Sequence, residues 1–510
     1  MSHYRLLLPL LLFYWAVSLH TLGHAPRVQG DEPWLASAAW KLTTTGVLGS
    51  DMFTGFQRME ARVYGFMPIQ PLSLALVFRL GGLGLFQARF VSVMMGLLVL
   101  ALTYCLGKRL YGAAVGVTAV FLLLLWRTSV LTAMLLSGIL FVDVSRIARY
   151  DIFVPVLGLA ALHLYLSARR RRRWWWYAAA GGLAALSALA NVYGVFWVGV
   201  LFILLLWNRD GWRAGCWLLV GTAVAWLPYL LYIGQDVAAW RGQLLVYPNR
   251  YELFSWRWYL QNVAREPQRY APGLDGHPWQ MVMRPGLLLL LLALPLSTAT
   301  LAQRAIWRRD GAARLLVTPA IVLPLAFALL IHSKFINYLV TIAPVWALVL
   351  AWGGVMMWRR GGWTRPLLAI LVFFMLLEGG SRHQALWRAS QTIQPYKPFI
   401  SQVRGHIPAG ARILGSQTFW FGLEDFDYRS WFVPLAHMRD VTVYARPSLP
   451  EALTAVNPTV ILIDDGLHEV WTANPDVAET FYFWMAQVGF AQQGVVENET
   501  YGRMEIWVRP

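Results

Sequence analysis

Charge is scarce in this chain. Lys, Arg, Asp and Glu together make up 14% of its 510 residues, where a soluble domain carries about a quarter. With 58% hydrophobic content, the shortage excludes an ordinary soluble fold, since no single core hides that much apolar surface. Cysteine is nearly absent: Cys105 and Cys216 both sit in apolar runs, which argues against a disulfide framework or a cysteine metal site. No clear internal repeat is visible. The opening stretch, Arg5 then Leu6 to Leu22, has the basic start and apolar core of an export signal but no small-x-small cleavage site, so it reads as a first membrane span.

What the chain has instead is a series of apolar runs of roughly 17 to 25 residues, each long enough to cross about 30 Å of hydrocarbon. Backbone groups must be satisfied internally there, so the runs are read as helices. The net charge of +17 comes from Lys and Arg in short clusters between these runs, a topology signal rather than a nucleic-acid surface. Arg169 to Arg173, followed by the aromatic belt Trp174 to Tyr177, anchors one cytoplasmic loop. Lys108-Arg109, Arg209 with Arg213, the group Arg304, Arg308, Arg309 and Arg314, and Arg359-Arg360 with Arg365 fall on the same side.

The expected architecture is therefore an α-helical polytopic membrane protein with about eleven spans, near 6–22, 88–106, 113–131, 150–167, 174–190, 193–207, 214–233, 286–303, 315–331, 336–357 and 366–380. Pro71 to Leu85 reads as a helix lying at the membrane surface, because a full span there would put the five-arginine loop outside. Ser129 to Val144 is too long for a simple turn and is either re-entrant or an extension of the third helix. Residues 23–87, a short acidic region around 143–151, and residues 234–285 face outward. The division is a membrane module over 1–380 and an external α/β domain over 381–510. In the latter, Ala411 to Leu414, Val441 to Tyr444 and Thr459 to Ile463 read as strands, Val477 to Val488 as a helix, and Gly494 to Val496 with Met504 to Val508 as a closing hairpin.

Carboxylates beside membrane spans are costly to desolvate and so are functional candidates. Asp31-Glu32, in GDEPWLASAAW, follows the first span; Asp31 also suits an N-cap with Pro33 near the first helical position. Arg149-Tyr150-Asp151 opens the fourth span, and a local ion pair easing a polar helix end is the plain alternative. Asp143 lies eight residues earlier. Glu60, flanked by Arg58 and Arg62, is either a third candidate or part of a solvated charge cluster. Lys334, in HSKFINYL with Asn337 and Tyr338, is a cation at an outer boundary, against the orientation rule; it is either a phosphate ligand or a snorkelling side chain. Arg241, Arg250, Arg257, Arg265 and Arg269, interleaved with aromatics, suit an anionic lipid headgroup. Asp464-Asp465 after VILI reads as a strand followed by a capped turn.

In order along the chain, these segments resemble the GT-C superfamily of membrane glycosyltransferases that use polyprenyl-phosphate-linked sugars, nearest to the protein O-mannosyltransferase and lipid A aminoarabinose transferase group. The resemblance rests on GDEPWLASAAWKL, MPIQPLSLALVFRLGG, the Ala-Arg pair opening QARFVSVMMGLLVLALTYCLGKRLYG, the Arg-aromatic-Asp at Arg149 to Asp151, and HSKFINYLVTIAPVWAL. It covers about residues 1–350. Two departures are plain: Asn191-Val192-Tyr193 stands where the group often has a Lys, and the Glu-Lys-Pro-Pro type signature is degraded between Glu60 and Pro71. The WWDYG signature of oligosaccharyltransferase catalytic subunits is missing, which disfavours en bloc N-glycan transfer.

The resemblance implies transfer of one sugar from a polyprenyl-phosphate donor to a glycan, lipid or protein acceptor at the external face of the plasma (inner) membrane. Asp31 would be the general base, Glu32 would orient it or the acceptor, and Asp151 would hold the acceptor or a metal. Lys334, Arg149, Arg58, Arg257 and Tyr338 would bind the donor phosphate. A divalent metal (magnesium, manganese or zinc) held by Asp31, Asp151 and Glu60 stays open, since no dedicated cage is visible. The competing reading is a transporter or flippase of a lipid-linked intermediate; the missing repeat and the placement of the acids at span ends favour an enzyme. A third reading, a binding tail on an inert anchor, would need only one span.

Overall fold

The computed structural model describes residues 4–128, 135–245, 252–270, 285–439 and 447–510. They form two compact units: Met1–His20, Ser92–Leu231 and Asn249–Arg388 make the first, and Thr21–Val91, Tyr232–Pro248 and Ala389–Pro510 make the second.

The first unit is helical. Six described stretches, Leu85–Tyr111, Tyr150–Arg171, Trp212–Gly234, Leu289–Trp307, Gly311–Leu330 and Thr364–Gly405, are long and apolar enough to cross a membrane, which makes this a multi-pass membrane protein. The other five expected spans are also helical but shorter or less apolar: Tyr4–Leu19, Ala113–Leu125, Trp174–Ala190, Val195–Asn208 and Ala343–Arg360. Packing sorts them. Phe153–Arg171 lies along Trp174–Ala190, and Gly311–Leu330 lies against both Val195–Asn208 and Leu294–Trp307. Trp212–Gly234 instead turns Leu219, Val224, Leu227 and Leu231 outward, an apolar exposure that suits lipid rather than water. Around the five-arginine loop, Trp174 stacks on Trp217 and Arg171 sits over Trp176, as a headgroup belt requires.

Two expectations in this unit change. The third helix stops at Leu125, where Trp126 becomes extended, so Ser129 to Val144 does not lengthen it. Of that stretch, 129–134 lies outside the described residues, and Leu140–Ser145 is a short helix of its own. The last helix is also longer than its expected span, 366–380. The helix from Thr364 runs on to Thr392, through Gly379 and Gly380, with Glu378 3.7 Å from Arg127.

The second unit joins the first loop to an α/β body. Its sheet has the order β2-β1-β3-β5-β4, with β1 Arg412–Gly415, β2 Asp427–Ser430, β3 Val460–Asp464, β4 Ala491–Asn498 and β5 Gly502–Val508. β1 pairs in parallel with both β2 and β3, while β5 runs antiparallel to β3 and β4. The closing hairpin is β4 and β5, and the expected helix is Pro475–Val488. Asp464 caps the helix after β3 by accepting the Leu467 N–H at 2.9 Å. Val441 to Tyr444, expected as a strand, lies outside the described residues. In the first loop, the helix Asp31–Thr45 ends at Gly46, whose φ of 76° closes the last turn onto Leu42. It packs on the helix Ile69–Gly81, which begins two residues before and ends four residues short of the surface helix expected over Pro71 to Leu85.

Candidate active site

Asp31 is the first residue of its helix and is not the cap. Gly30 holds that position and offers no side-chain hydrogen bond. The capping alternative is thereby corrected: as a carboxylate inside the first turn, Asp31 gains from the positive end of the helix dipole. Asp31 stays half-buried, and its neighbour Glu32 is wholly buried.

A partner for that buried charge comes from the helix Leu85–Tyr111. Arg89 donates Nε to Glu32 Oε1 at 2.8 Å and a second guanidinium nitrogen to Oε2 at 2.8 Å, both side chains fully buried. Two further N–H groups go to the carbonyls of Leu22 and Arg27 at 3.1 and 3.3 Å, and Glu32 also accepts the Gln29 N–H at 3.0 Å. One guanidinium thus ties down the chain from 22 to 32, and with it the backbone carrying Asp31. One turn further along, Trp34 meets Phe53, Phe66 and Phe432 at ring separations of 5.2, 5.6 and 5.0 Å.

Arg58 and Glu60, in the same unit, have other partners. Arg58 reaches Asp236 at 2.8 Å and Arg62 reaches Gln235 at 3.1 Å, while Glu60 accepts the Gly55 N–H at 3.3 Å. Gln57 and Arg58 both adopt the left-handed backbone conformation, a strain that tight functional loops store. Gly55, Phe56, Gln57, Arg58, Glu60, His437 and Pro447 line an open cavity of about 460 Å³.

The remaining candidates belong to the first unit. Arg149 donates to Asp151 at 2.7 Å, and Asn191 donates to the other carboxylate oxygen at 3.1 Å, all three side chains buried. Tyr338 lies within electrostatic reach of Asp151 and Arg149, and Tyr193 packs edge-on against it at 4.8 Å. Asn191 and Tyr193, which read in the sequence as a departure from the group's Lys, are therefore members of this cluster. Lys334 is engaged elsewhere. Its ammonium donates to Glu266 Oε2 at 2.8 Å and to the Ala328 carbonyl at 3.0 Å. Arg269 donates to both oxygens of the same Glu266, and Arg265 donates to His332 at 2.9 Å. Two cations, Lys334 and Arg269, thus share one carboxylate, and burial pulls the Lys334 ammonium below its ordinary range while Glu266 opposes that shift. Arg257 is exposed beside Trp256, and Arg250 lies outside the described residues.

For a divalent metal the donors do not converge. Among the described residues no group of three or more His, Cys, Asp and Glu side chains stands close enough to hold an ion. Glu32 spends both oxygens on Arg89, and Asp151 divides its own between Arg149 and Asn191.

No protein-family model and no curated protein matches the sequence. Solved structures do. ArnT from Cupriavidus metallidurans bound to undecaprenyl phosphate is similar over 99% of this chain and 97% of its own, with a TM-score of 0.60 at 14% identity. The Archaeoglobus fulgidus oligosaccharyltransferase tethered to an acceptor peptide containing the NVT sequon is similar over 99% of this chain and 74% of its own, TM-score 0.59 at 11% identity. The same archaeal protein in complex with Zn and sulfate gives 0.58 at 13% identity, over 97% and 72%. At such identities the likeness defines the fold, and that fold is the GT-C architecture of polytopic helices with an α/β body. The chain has this fold across nearly its whole length.

Proposed function

We propose that the protein is a glycosyltransferase that moves one sugar from a polyprenyl-phosphate donor to a hydroxyl-bearing acceptor at the external face of the plasma membrane. Residues 1–380 would carry the transfer and 381–510 would form an external domain. The observation that carries this reading is Asp31, a half-exposed carboxylate on the first turn of a helix anchored by the buried Glu32–Arg89 pair. Supporting it, a protein of the same fold binds undecaprenyl phosphate.

In this reading Asp31 takes the proton of the acceptor hydroxyl. The oxygen lone pair then attacks the sugar C1, the C1–O bond to phosphate breaks, and its electron pair leaves with the polyprenyl phosphate. Attack opposite the leaving group inverts the sugar carbon. Glu32, locked to Arg89, orients the turn that carries the base. Asp151, braced by Arg149 and Asn191, is assigned to the acceptor. Lys334, with Arg265 and Arg269, offsets charge on the leaving phosphate.

Mass spectrometry of envelope glycans tests this in a strain lacking the gene and complemented with wild type or Asp31→Asn. The sugar-modified product should vanish on deletion, return with wild type and stay absent with the variant. Restoration by Asp31→Asn removes the base assignment. Lipid-linked sugar that changes sides without any covalently modified acceptor would favour a transporter.

A further inference from the structure

The C-terminal body carries a residue aimed at the backbone beside Asp31. In the sheet, β1 is followed along the chain by β2 on one side and by β3 on the other, both parallel to it. Open α/β sheets bind ligands outside the carboxyl ends of their parallel strands, where the winding reverses. Here that place is the turn after β1, Ser416 and the 3-10 turn Gln417–Phe419, which packs on the helix Asp31–Thr45.

The C-terminal end of β2 fixes the orientation of Gln417. The fully buried Ser430 accepts the Phe432 N–H at 3.1 Å and donates its hydroxyl to Gln417 Oε1 at 3.1 Å. With its oxygen so engaged, the amide turns its NH2 group the other way, toward Gly30. A Cβ on Gly30 would stand 3.0 Å from Gln417 Nε2 and 3.3 Å from Cγ. Gly30 is the residue before Asp31, and its φ of −57° is open to any residue. Its lack of a side chain therefore makes room for the amide and is not a backbone need. Among the described residues, the Nε2 donors have no protein partner.

We propose that Gln417 is a specificity-determining residue for the acceptor. Its amide donates to a second oxygen of the acceptor while Asp31 takes the proton of the attacking hydroxyl. The acceptor class is one with two neighbouring oxygens, as in a saccharide or another vicinal diol, and the C-terminal body thereby reads the acceptor. This rests on the transferase reading given above.

The test uses the full chain in the gene-deleted strain, with Gln417→Leu, Gly30→Ala, the double variant and Asp31→Asn, and product read by envelope mass spectrometry. Gln417→Leu removes the donors. Gly30→Ala pushes the flexible amide aside. Each single variant should cut product by up to about ten-fold, the worth of one hydrogen bond. The double should be no worse than the worse single, because both act through one contact. Thermal protection of the purified protein by undecaprenyl phosphate should match wild type in all three. Wild-type product from Gln417→Leu, losses that multiply in the double, or an equal loss of undecaprenyl phosphate protection each overturn the assignment. Asp31→Asn separates the two claims: if it is inactive while Gln417→Leu is fully active, only the Gln417 role fails. If Asp31→Asn keeps product, both fail.

Discussion

Arg89 holds Glu32 by two parallel bonds of 2.8 Å, with neither side chain open to solvent. A fork-to-fork pair of this kind fixes geometry as well as charge, and it does so one residue from the proposed base. Two charges withdrawn from water are tolerable only together.

Removing either partner should therefore be costly. Glu32→Gln or Arg89→Ala leaves an uncompensated buried group, and roughly 3–5 kcal/mol of stability should be lost. Thermal unfolding in detergent measures it. Replacing both by apolar residues of similar volume should recover much of the stability but not the transfer, since the first turn would no longer be oriented.

Asp151 presents the same logic with two partners. Arg149→Ala should destabilise by a similar amount, roughly 3–5 kcal/mol. Asn191→Leu, which removes one neutral donor to a carboxylate, should cost about 1.5–3 kcal/mol. Equal losses in the two variants, read by the same unfolding assay, would contradict this ranking.

The pairing of Lys334 and Arg269 with Glu266 predicts opposite effects on phosphate binding for the two kinds of substitution. Lys334→Ala lowers the positive charge and should weaken undecaprenyl phosphate binding by about ten-fold. Glu266→Gln releases charge from its internal partner and should strengthen it by a few-fold, each ten-fold step corresponding to about 1.4 kcal/mol. Ligand-dependent shifts in melting temperature report both.

Asp143, in the short helix between candidate spans, is buried, and burial pushes its carboxyl from 3.8 up to about 6, outweighing the Ser137 and Gly138 donors that favour the anion. The native state holds this proton more tightly than the unfolded chain. Its contribution to stability is thus present below about pH 4 and is lost as pH rises toward 6. Each ten-fold gain in proton affinity corresponds to about 1.4 kcal/mol, so the loss is roughly 3 kcal/mol. Asp143→Asn should remove that slope, so melting temperatures of wild type and variant measured from pH 4 to 7 should converge or cross.

How far the sequence alone reaches differs between fold and site. Apolar runs and arginine clusters mark the helices because both follow from the cost of desolvation, which acts locally. Arg89 is visible as a cation in an apolar run, and such a residue demands a partner. Its partner, however, lies 57 positions away, and no spacing rule links the two. Asn191 reads as the loss of a Lys; only the fold makes it a donor to Asp151. β2 escapes a pattern search because DYRS is four residues long and nearly all polar, stabilised by its parallel register with β1 and not by its own pattern.

The hairpin that ends the sheet has a further consequence. β4 is an edge strand, and its ladder slips between Gln492 and Gly494 while Glu497 adds charge along the strand. An irregular, polar rim cannot template a neighbouring copy. In a crowded membrane, copies of this protein brought together at β4 should therefore remain separate instead of growing into extended β assemblies through that edge.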